Sequence, residues 1–444
     1  METVFNQSLW GDEAFSAILS MKSIPDILRI IARDTSPPLF NLTEYLAFQI
    51  FGTDETVIRG LVFVYYLLTV FFVYKIGALV WSRKTGLFAA VLTFLNPFFF
   101  IYAFEGRMYS IMALGVAASM YFFIKSFVEK EGGIGSKIGY VLATSWALYS
   151  HHFAIFILFV QGLWFIKEIL SKNFKTARSM FKSFVAIGIL YIPWLIPLYG
   201  QMRMVGGGFW LGTPTLTDMR TIIYDYLAQG IKHPLSEPAL YIVFVLLLIR
   251  DWTKKINISL LFLLWFLLPI AAAWGISQSF TSVFFNRYLL YTIPGAMLIL
   301  ATNKRVPASN IIIFVLLIMF AVIDYRYFTT PDKRPFRQLA SYVLETREEG
   351  DYLINWYSNG AHHIWETKYY KIPAPIYVEG DDHLPYFVGT ALMEDGDIVN
   401  TIPNNAKRVG VITSGPIEEV DLNNYTKKEI KEFKGIKFIW LTKE

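Results

Sequence analysis

Residues 57–80 read VIRGLVFVYYLLTVFFVYKIGALV, with Arg59 and Lys75 as the only charges. A helix needs about 20 mostly apolar residues to cross the ~30 Å hydrocarbon core of a bilayer, and this stretch exceeds that length. Working outward, the same reading applies to runs at 86–103, 108–128, 137–150, 152–170, 181–199, 237–250, 257–276, 288–303 and 309–327, about ten spans in all. The apolar run from Lys137 to Leu170 covers 34 residues, too many for one helix, and is divided at His151-His152. The spans 137–150 and 237–250 are short, so they need flanking residues or a thinned bilayer.

The composition agrees. Of 444 residues, 55% are hydrophobic and 17% charged, against about 25% charged in an ordinary soluble domain. With 38 Phe, 26 Tyr and 12 Trp the chain is not disordered. The absence of Cys excludes a disulfide scaffold, a thiolate metal site and a cysteine nucleophile. The net charge of +5 is modest, and its distribution carries more information than its size.

Basic residues orient the spans. Taken alternately, one set of gaps holds 15 basic residues: Arg83, Lys84, Lys125, Lys130, Lys137, Lys167, Lys172, Lys175, Arg178, Lys182, Arg250, Lys254, Lys255, Lys304 and Arg305. The other set holds five: Arg107, Arg203, Arg220, Lys232 and Arg287. Lys and Arg accumulate on the cytoplasmic side, so the first set is cytoplasmic. Residues 1–56 and everything after 327 are then expected on the outer face. Met1–Trp10 has no apolar signal core, so an additional first helix encoded upstream is expected to carry the first 56 residues across.

From Phe328 the character changes to turn-rich, charged sequence. Short apolar runs at Tyr352–Trp356, Ile376–Val378, Val409–Thr413 and Phe438–Leu441 alternate with helix-like stretches at Phe336–Arg347, Gly360–Tyr370 and Lys427–Phe433. That alternation predicts a small α/β domain with a largely parallel sheet. The expected organisation is a membrane-embedded domain over 1–327, with an outer-face loop at 1–56 and spans over 57–327, and a soluble outer domain over 328–444. No Gly-rich phosphate loop appears, and nothing points to nucleic acid.

Polar clusters gather on the outer face, where ionisable groups at a membrane boundary are functional candidates. Trp10-Gly11-Asp12-Glu13-Ala14 precedes an amphipathic stretch from Phe15 to Ile31. Its bland explanation is a helix start, with Asp12 as cap and Glu13 favouring the positive end of the dipole. Asp34-Thr35-Ser36-Pro37-Pro38-Leu39 leads into a helix ending at Phe51-Gly52, and by itself is a rigid turn. Arg59 by itself is a snorkelling side chain. Phe104-Glu105-Gly106-Arg107-Met108-Tyr109 by itself is a tight loop whose charges pair with each other. His151 and His152 point in different directions on a helix and rarely share one metal ion. A polar interhelical turn and a substrate contact remain equally good readings of them.

The ordered set is more specific than its parts. Asp-Glu-Ala at 12–14, Asp-x-x-Pro-Pro-Leu at 34–39, Phe-Gly followed by Ile-Arg at 51–59, Glu-x-Arg-Met-Tyr at 105–109 and Tyr-Ser-His-His at 149–152 together resemble the polyprenyl-phosphate-sugar glycosyltransferases of the C-type superfamily. These include the protein O-mannosyltransferases and the bacterial aminoarabinose transferases of lipid A. Asn286-Arg287-Tyr288-Leu289 is similar to a later feature of the family. The resemblance implies a polytopic α-helical fold of the GT-C type. It also implies a donor in which a sugar is joined through a phosphodiester to an isoprenoid lipid, with inverting transfer to an acceptor on the outer face.

Site roles follow from that resemblance. Asp12 would be the general base, and Glu13 would orient the acceptor or the base. Asp34 would shape the sugar pocket. Arg59 and Arg287 would hold the lipid phosphate, for which guanidinium suits two-point contact. Arg107, with Glu105 as its partner, is a third cation for that task, and Tyr109, His151 and His152 would line the substrate site. No obligatory cofactor or metal is expected, although a divalent cation is compatible with the family. The outer loop from Gly200 to Glu237, with Gly206-Gly207-Gly208, Trp210 and a short helix near Leu216–Gln229, is either a lid or a passive connector. The rival class is a transporter or flippase of a lipid-linked saccharide. Transporters usually place charges at mid-membrane in broken helices, and here the spans have almost none. The sugar (mannose, glucose, aminoarabinose or galacturonic acid) and the acceptor (protein, glycan or lipid) stay open.

Overall fold

The structure, a computed structural model, describes residues 2–250, 252, 255–302, 309–358, 361–380 and 384–444. Lys254, Lys304 and Arg305 of the basic set expected on the cytoplasmic side, and Gly360 at the expected start of a tail helix, lie outside the described residues. The N-terminal helices are α1 (Gly11–Ser20), α2 (Ile24–Ile31) and α3 (Leu39–Phe51). Next come α4 (Glu55–Val80), α5 (Arg83–Phe94), α6 (Pro97–Ile101), α7 (Tyr109–Phe123), α8 (Ile134–Ser150), α9 (Ile155–Leu170), α10 (Phe174–Tyr191) and α11 (Leu195–Gly206). They are followed by α12 (Leu216–Tyr224), α13 (Ser236–Leu248), α14 (Ile256–Ser279), α15 (Asn286–Leu289), α16 (Ile293–Leu300) and α17 (Ser309–Phe328). The tail adds α18 (Phe336–Thr346) and α19 (Ile364–Tyr369).

The chain folds as two compact units, neither continuous in sequence. The larger comprises 35–40 and 59–329, and the smaller comprises 1–34, 41–58 and 330–444.

Among the described residues, six helical stretches are long and apolar enough to cross a membrane: Glu55–Val80, Tyr109–Val128, His152–Leu170, Phe174–Gly206, Ile256–Ser279 and Ser309–Phe328. The other four runs read from the sequence are helical but shorter or broken. The run at 86–103 is interrupted at Asn96-Pro97, where the Asn96 side chain accepts the Phe99 N–H at 3.0 Å and caps α6. Proline suits the first turn of a helix because its missing N–H would have no partner there. The break expected at the histidine pair is present: His151 is extended (φ −161°, ψ 137°) and ends α8, and one 3₁₀ turn leads into α9. Small residues bring spans close, as membrane helices require. A Cβ on Gly115 of α7 would lie 2.8 Å from the Ala147 backbone of α8, and one on Gly77 of α4 would lie 2.6 Å from Gly86 of α5. This is a polytopic helical membrane protein.

Two expected features change form. The amphipathic stretch after Asp12 is two helices, because Ser23 accepts the Asp26 N–H at 3.3 Å and starts α2 afresh with Pro25 in its first turn. The loop expected over Gly200–Glu237 is shorter, since α11 continues through Gly206. The helix expected in it is α12 followed by one π-helical turn, Asp225–Gln229.

The smaller unit carries a six-stranded sheet of β1 (Tyr352–Trp356), β2 (Ile376–Tyr377), β3 (Ile398–Val399), β4 (Arg408–Thr413), β5 (Tyr425–Phe433) and β6 (Ile436–Lys443). The spatial order is β3-β2-β1-β4-β6-β5. The first four strands in that order run parallel, and β6 and β5 add antiparallel pairings. Lys427–Phe433, expected as a helix, is therefore a correction: it lies in β5. Its Lys and Glu residues favour helix locally, but Lys434-Gly435, both at positive φ, make a hairpin turn that returns the chain along β6. A charged edge strand also resists pairing with other chains. Alternation along β1 and β6 sends Leu353, Phe438 and Trp440 to one face with α18, and Ile354, Ile439 and Leu441 to the other.

The same unit holds the acidic helix α1. Phe15 packs edge-on against Trp365 of α19, with ring centroids 5.3 Å apart. Gln7 Nε2 donates to Asp332 Oδ1 at 3.0 Å, and Arg337 Nη2 donates to Glu55 Oε1 at 2.7 Å.

Candidate active site

In the larger unit, the loop between α6 and α7 is held by the Ser110 hydroxyl, which donates to the Tyr102 carbonyl at 2.6 Å. The Arg107 N–H donates to the Glu105 carbonyl at 2.6 Å. Asn286-Arg287 is fixed from two sides. The Tyr226 hydroxyl donates to the Asn286 carbonyl, and Asn96 Nδ2 donates to the Tyr226 carbonyl at 2.8 Å. The Arg287 guanidinium then lies 5.6 Å over the Tyr109 ring and 4.9 Å over Phe285.

His151 joins this cluster. Its ring is 5.0 Å from Tyr288 and 6.2 Å from Tyr109, and its Nδ1 accepts the Phe153 N–H at 3.2 Å. Tyr109, His151 and Arg287, far apart in the sequence, thus converge with Tyr288 and Phe285, and Glu105 and Arg107 lie in the loop that leads directly into Tyr109. A cation held over aromatic faces is partly desolvated, which strengthens its pull on an anion.

His152 faces elsewhere. Its Nδ1 accepts the Tyr191 hydroxyl at 3.3 Å, and its Nε2 donates to Gln201 Oε1 at 2.8 Å. Gln201 Nε2 donates in turn to the Ser36 carbonyl at 3.1 Å. The second histidine is therefore the centre of a relay that ties α10 and α11 to the Pro-Pro element. Gln201 and Tyr191 carried no motif that would single them out in the sequence. Arg59 is wholly buried in the first turns of α4.

In the smaller unit, Asp12 is partly exposed in the first turn of α1, whereas Glu13 is wholly buried. The helix is capped at Trp10, not at Asp12, and the Trp10 N–H reaches Glu13 Oε2 at 3.5 Å. Farther back, Ser20 donates to Glu44 Oε2 at 2.7 Å, and Asn41 Nδ2 donates to Ser20 at 3.0 Å, which pins α1 to α3. Asp34 is half-buried just after α2. Among the described residues no three His, Asp or Glu side chains group as a metal site.

Residues 35–196 match the family described as dolichyl-phosphate-mannose-protein mannosyltransferase. Among curated proteins, none matches the sequence significantly. The fold is similar to ArnT from Cupriavidus metallidurans in the apo state, with a TM-score of 0.67 and 12% identity over 98% of this chain and 95% of that one. The form of that protein bound to undecaprenyl phosphate gives a TM-score of 0.59 with 11% identity, over 98% of this chain and 96% of that one. The Archaeoglobus fulgidus oligosaccharyltransferase, in complex with Zn and sulfate, gives 0.54 with 13% identity over 91% of this chain and 64% of that one.

Proposed function

With the chain a GT-C-fold membrane protein resembling the polyprenyl-phosphate-sugar glycosyltransferases, we propose that it transfers a sugar from a polyprenyl-phosphate donor to an acceptor on the outer face of the membrane, inverting the anomeric centre. The observation that carries this reading is the convergence of Arg287, Tyr109 and His151, the last two of which fall within residues 35–196 that match the mannosyltransferase family. A leaving lipid phosphate develops negative charge, and preorganised guanidiniums stabilise such charge best in a site with little water.

In this reaction the acceptor hydroxyl or amine attacks the anomeric carbon as the carbon–oxygen bond to the lipid phosphate breaks. Asp12 takes the acceptor's proton, and Glu13 orients it. Arg59 and Arg287 hold the phosphate, with Arg107 and Glu105 beside it. Asp34 shapes the sugar pocket, while the Pro-Pro element is held in place through Ser36, Gln201 and His152. The polyprenyl-phosphate ligand of one ArnT structure supports this donor class.

The test is turnover by the purified full chain with a panel of polyprenyl-phosphate sugars and envelope acceptors. Asp12→Asn removes the proton acceptor without changing shape, so turnover should fall by more than ~10²-fold while donor binding persists. Wild-type turnover in Asp12→Asn would rule out the assigned base. The proposed transfer is itself refuted if the wild-type chain consumes no lipid-linked donor.

A further inference from the structure

The smaller unit holds a second cluster that the glycosyl-transfer reading leaves unused. His363 Nε2 lies 3.0 Å from Ser414 Oγ, and His363 Nδ1 lies 3.3 Å from Glu366 Oε1. His363 and Glu366 are 3% and 4% exposed, whereas Ser414 reaches the surface. With Nδ1 protonated, the imidazole donates to the carboxylate and accepts the serine hydroxyl. That is the order of nucleophile, base and orienting acid used in acyl transfer. Glu366 Oε2 is buried and has no partner among the described residues, and it faces Gly11, where a Cβ would approach it to 3.7 Å.

The position in the sheet is the second observation. After β1 the chain passes through α19 to β2 on one side, and β4 later pairs on the other side of β1. The carboxyl ends of β1 and β4 therefore flank a topological switch point, where open α/β sheets form their ligand crevice. Ser358 follows β1, His363 and Glu366 begin α19, and Ser414 follows β4 directly, so all four gather at that edge. The helix is locked over the strand, since Asn355 Nδ2 donates to Thr367 Oγ1 at 3.0 Å and to the Ala374 carbonyl at 2.6 Å. Beside the nucleophile, Lys437 Nζ donates to the Gly415 carbonyl at 2.8 Å, which brings a cation within one peptide of Ser414. A Cβ on Gly415 would come within 2.6 Å of Ser358 Oγ, so only glycine leaves that side open.

We propose that Ser414, His363 and Glu366 form a serine-nucleophile site that cleaves carboxylic esters, distinct from the glycosyl-transfer chemistry. Ser414 Oγ bonds to the ester carbonyl carbon while its proton passes to His363 Nε2 and the carbonyl electron pair moves onto oxygen. Collapse breaks the bond to the alcohol, which leaves with the proton from Nε2. Water repeats the sequence on the acyl-serine, releasing a carboxylic acid and restoring Ser414. The net reaction is ester plus water to acid plus alcohol. Glu366 is a positioning residue acting through His363. Glu419 accepts the Ser358 hydroxyl and lies beside Gly415, a negative charge next to the nucleophile that disfavours anionic substrates, so the substrate class is a neutral ester.

The test is covalent labelling of the full chain in detergent with a fluorophosphonate probe, read by peptide mass, alongside hydrolysis of p-nitrophenyl acetate. The expected result is a label on Ser414 that Ser414→Ala abolishes, with hydrolysis falling by about 10²-fold or more in His363→Gln. Glu366→Gln should slow labelling of Ser414 about tenfold or more, and Glu366→Asp should restore part of the rate. A merely structural hydrogen bond would change the stability of the unit without changing the labelling rate of the folded chain. Ser414→Ala is the conservative variant that keeps the test decisive if His363→Gln fails to fold. An unlabelled Ser414 in the wild-type chain, or labelling independent of His363, would overturn the proposal.

Discussion

The Tyr370 hydroxyl donates to Glu55 Oε1 at 2.7 Å while accepting the Leu9 N–H at 2.9 Å. One phenol thus ties α19 both to the first turn of α4 and to the chain just ahead of the acidic pair. Burial pushes its ionisation well above the ordinary tyrosine range, so it stays a neutral donor.

Removing that hydroxyl leaves a carboxylate and a backbone N–H short of one bond each. Tyr370→Phe is expected to cost roughly 1–3 kcal/mol in the smaller unit. Hydrogen exchange of the peptide spanning Leu9 should accelerate, with little change in peptides from α7 and α8. Unchanged exchange at Leu9 would show that the phenol is not what holds this segment.

The donor phosphate gives a second prediction. Arg287→Ala should raise the apparent Kd for the lipid donor about tenfold or more, and Arg287→Lys should restore little. An ammonium neither stacks flat over Tyr109 and Phe285 nor makes two parallel bonds to phosphate. Equal donor affinity in the alanine variant would transfer the role to Arg59 or Arg107, which Arg59→Ala and Arg107→Ala then distinguish.

Topology is testable without any substrate. Fifteen basic residues against five predict that the tail lies on the outer face. Protease added to intact spheroplasts should remove residues after Tyr327. Protection of the tail with cleavage of the opposite loops would reverse the orientation.

The tail should also lose stability in mild acid. Burial lowers the His362 pKa to about 4, and its Nε2 lies 3.2 Å from the Val388 carbonyl. In the unfolded chain the ordinary value is about 6.5. Below that pH the unfolded state binds more protons than the folded one, so stability is full above about 6.5 and declines towards pH 4. The loss is on the order of 3 kcal/mol. Melting of wild type and His362→Gln across this window should show a shallower slope in the variant. Parallel slopes would assign the acid sensitivity to other groups.

Much of the membrane unit is legible without coordinates because the bilayer acts on each segment separately. Twenty apolar residues in a row favour a span wherever they occur. Among the described residues, six of the ten runs are helices long enough to cross, while the other four are helical but shorter or broken. Punctuation is local too: Asn96-Pro97 starts a helix, and His151-His152 divides one. The motifs around Arg107, His151 and Arg287 were recognisable as ordered residue types, though their spacing along the chain says nothing of distance.

Tertiary structure decided what depends on partners far away in sequence. Lys427–Phe433 has the composition of a helix, yet it is a strand because a hairpin and β6 satisfy its backbone. The two adjacent histidines part company, one among Tyr109 and Tyr288, the other bonded to Gln201, because an extended residue at a helix end turns their side chains apart. Residues 1–34 cluster with 330–444, and Ser414 meets His363 across 51 positions, through a strand crossover that no local pattern records. Hydropathy is a property of a segment, so the apolar runs were legible from composition alone and charge bias supplied an expected direction for them. Convergence of side chains is a property of the folded chain, where strand order and packing choose which distant residues touch.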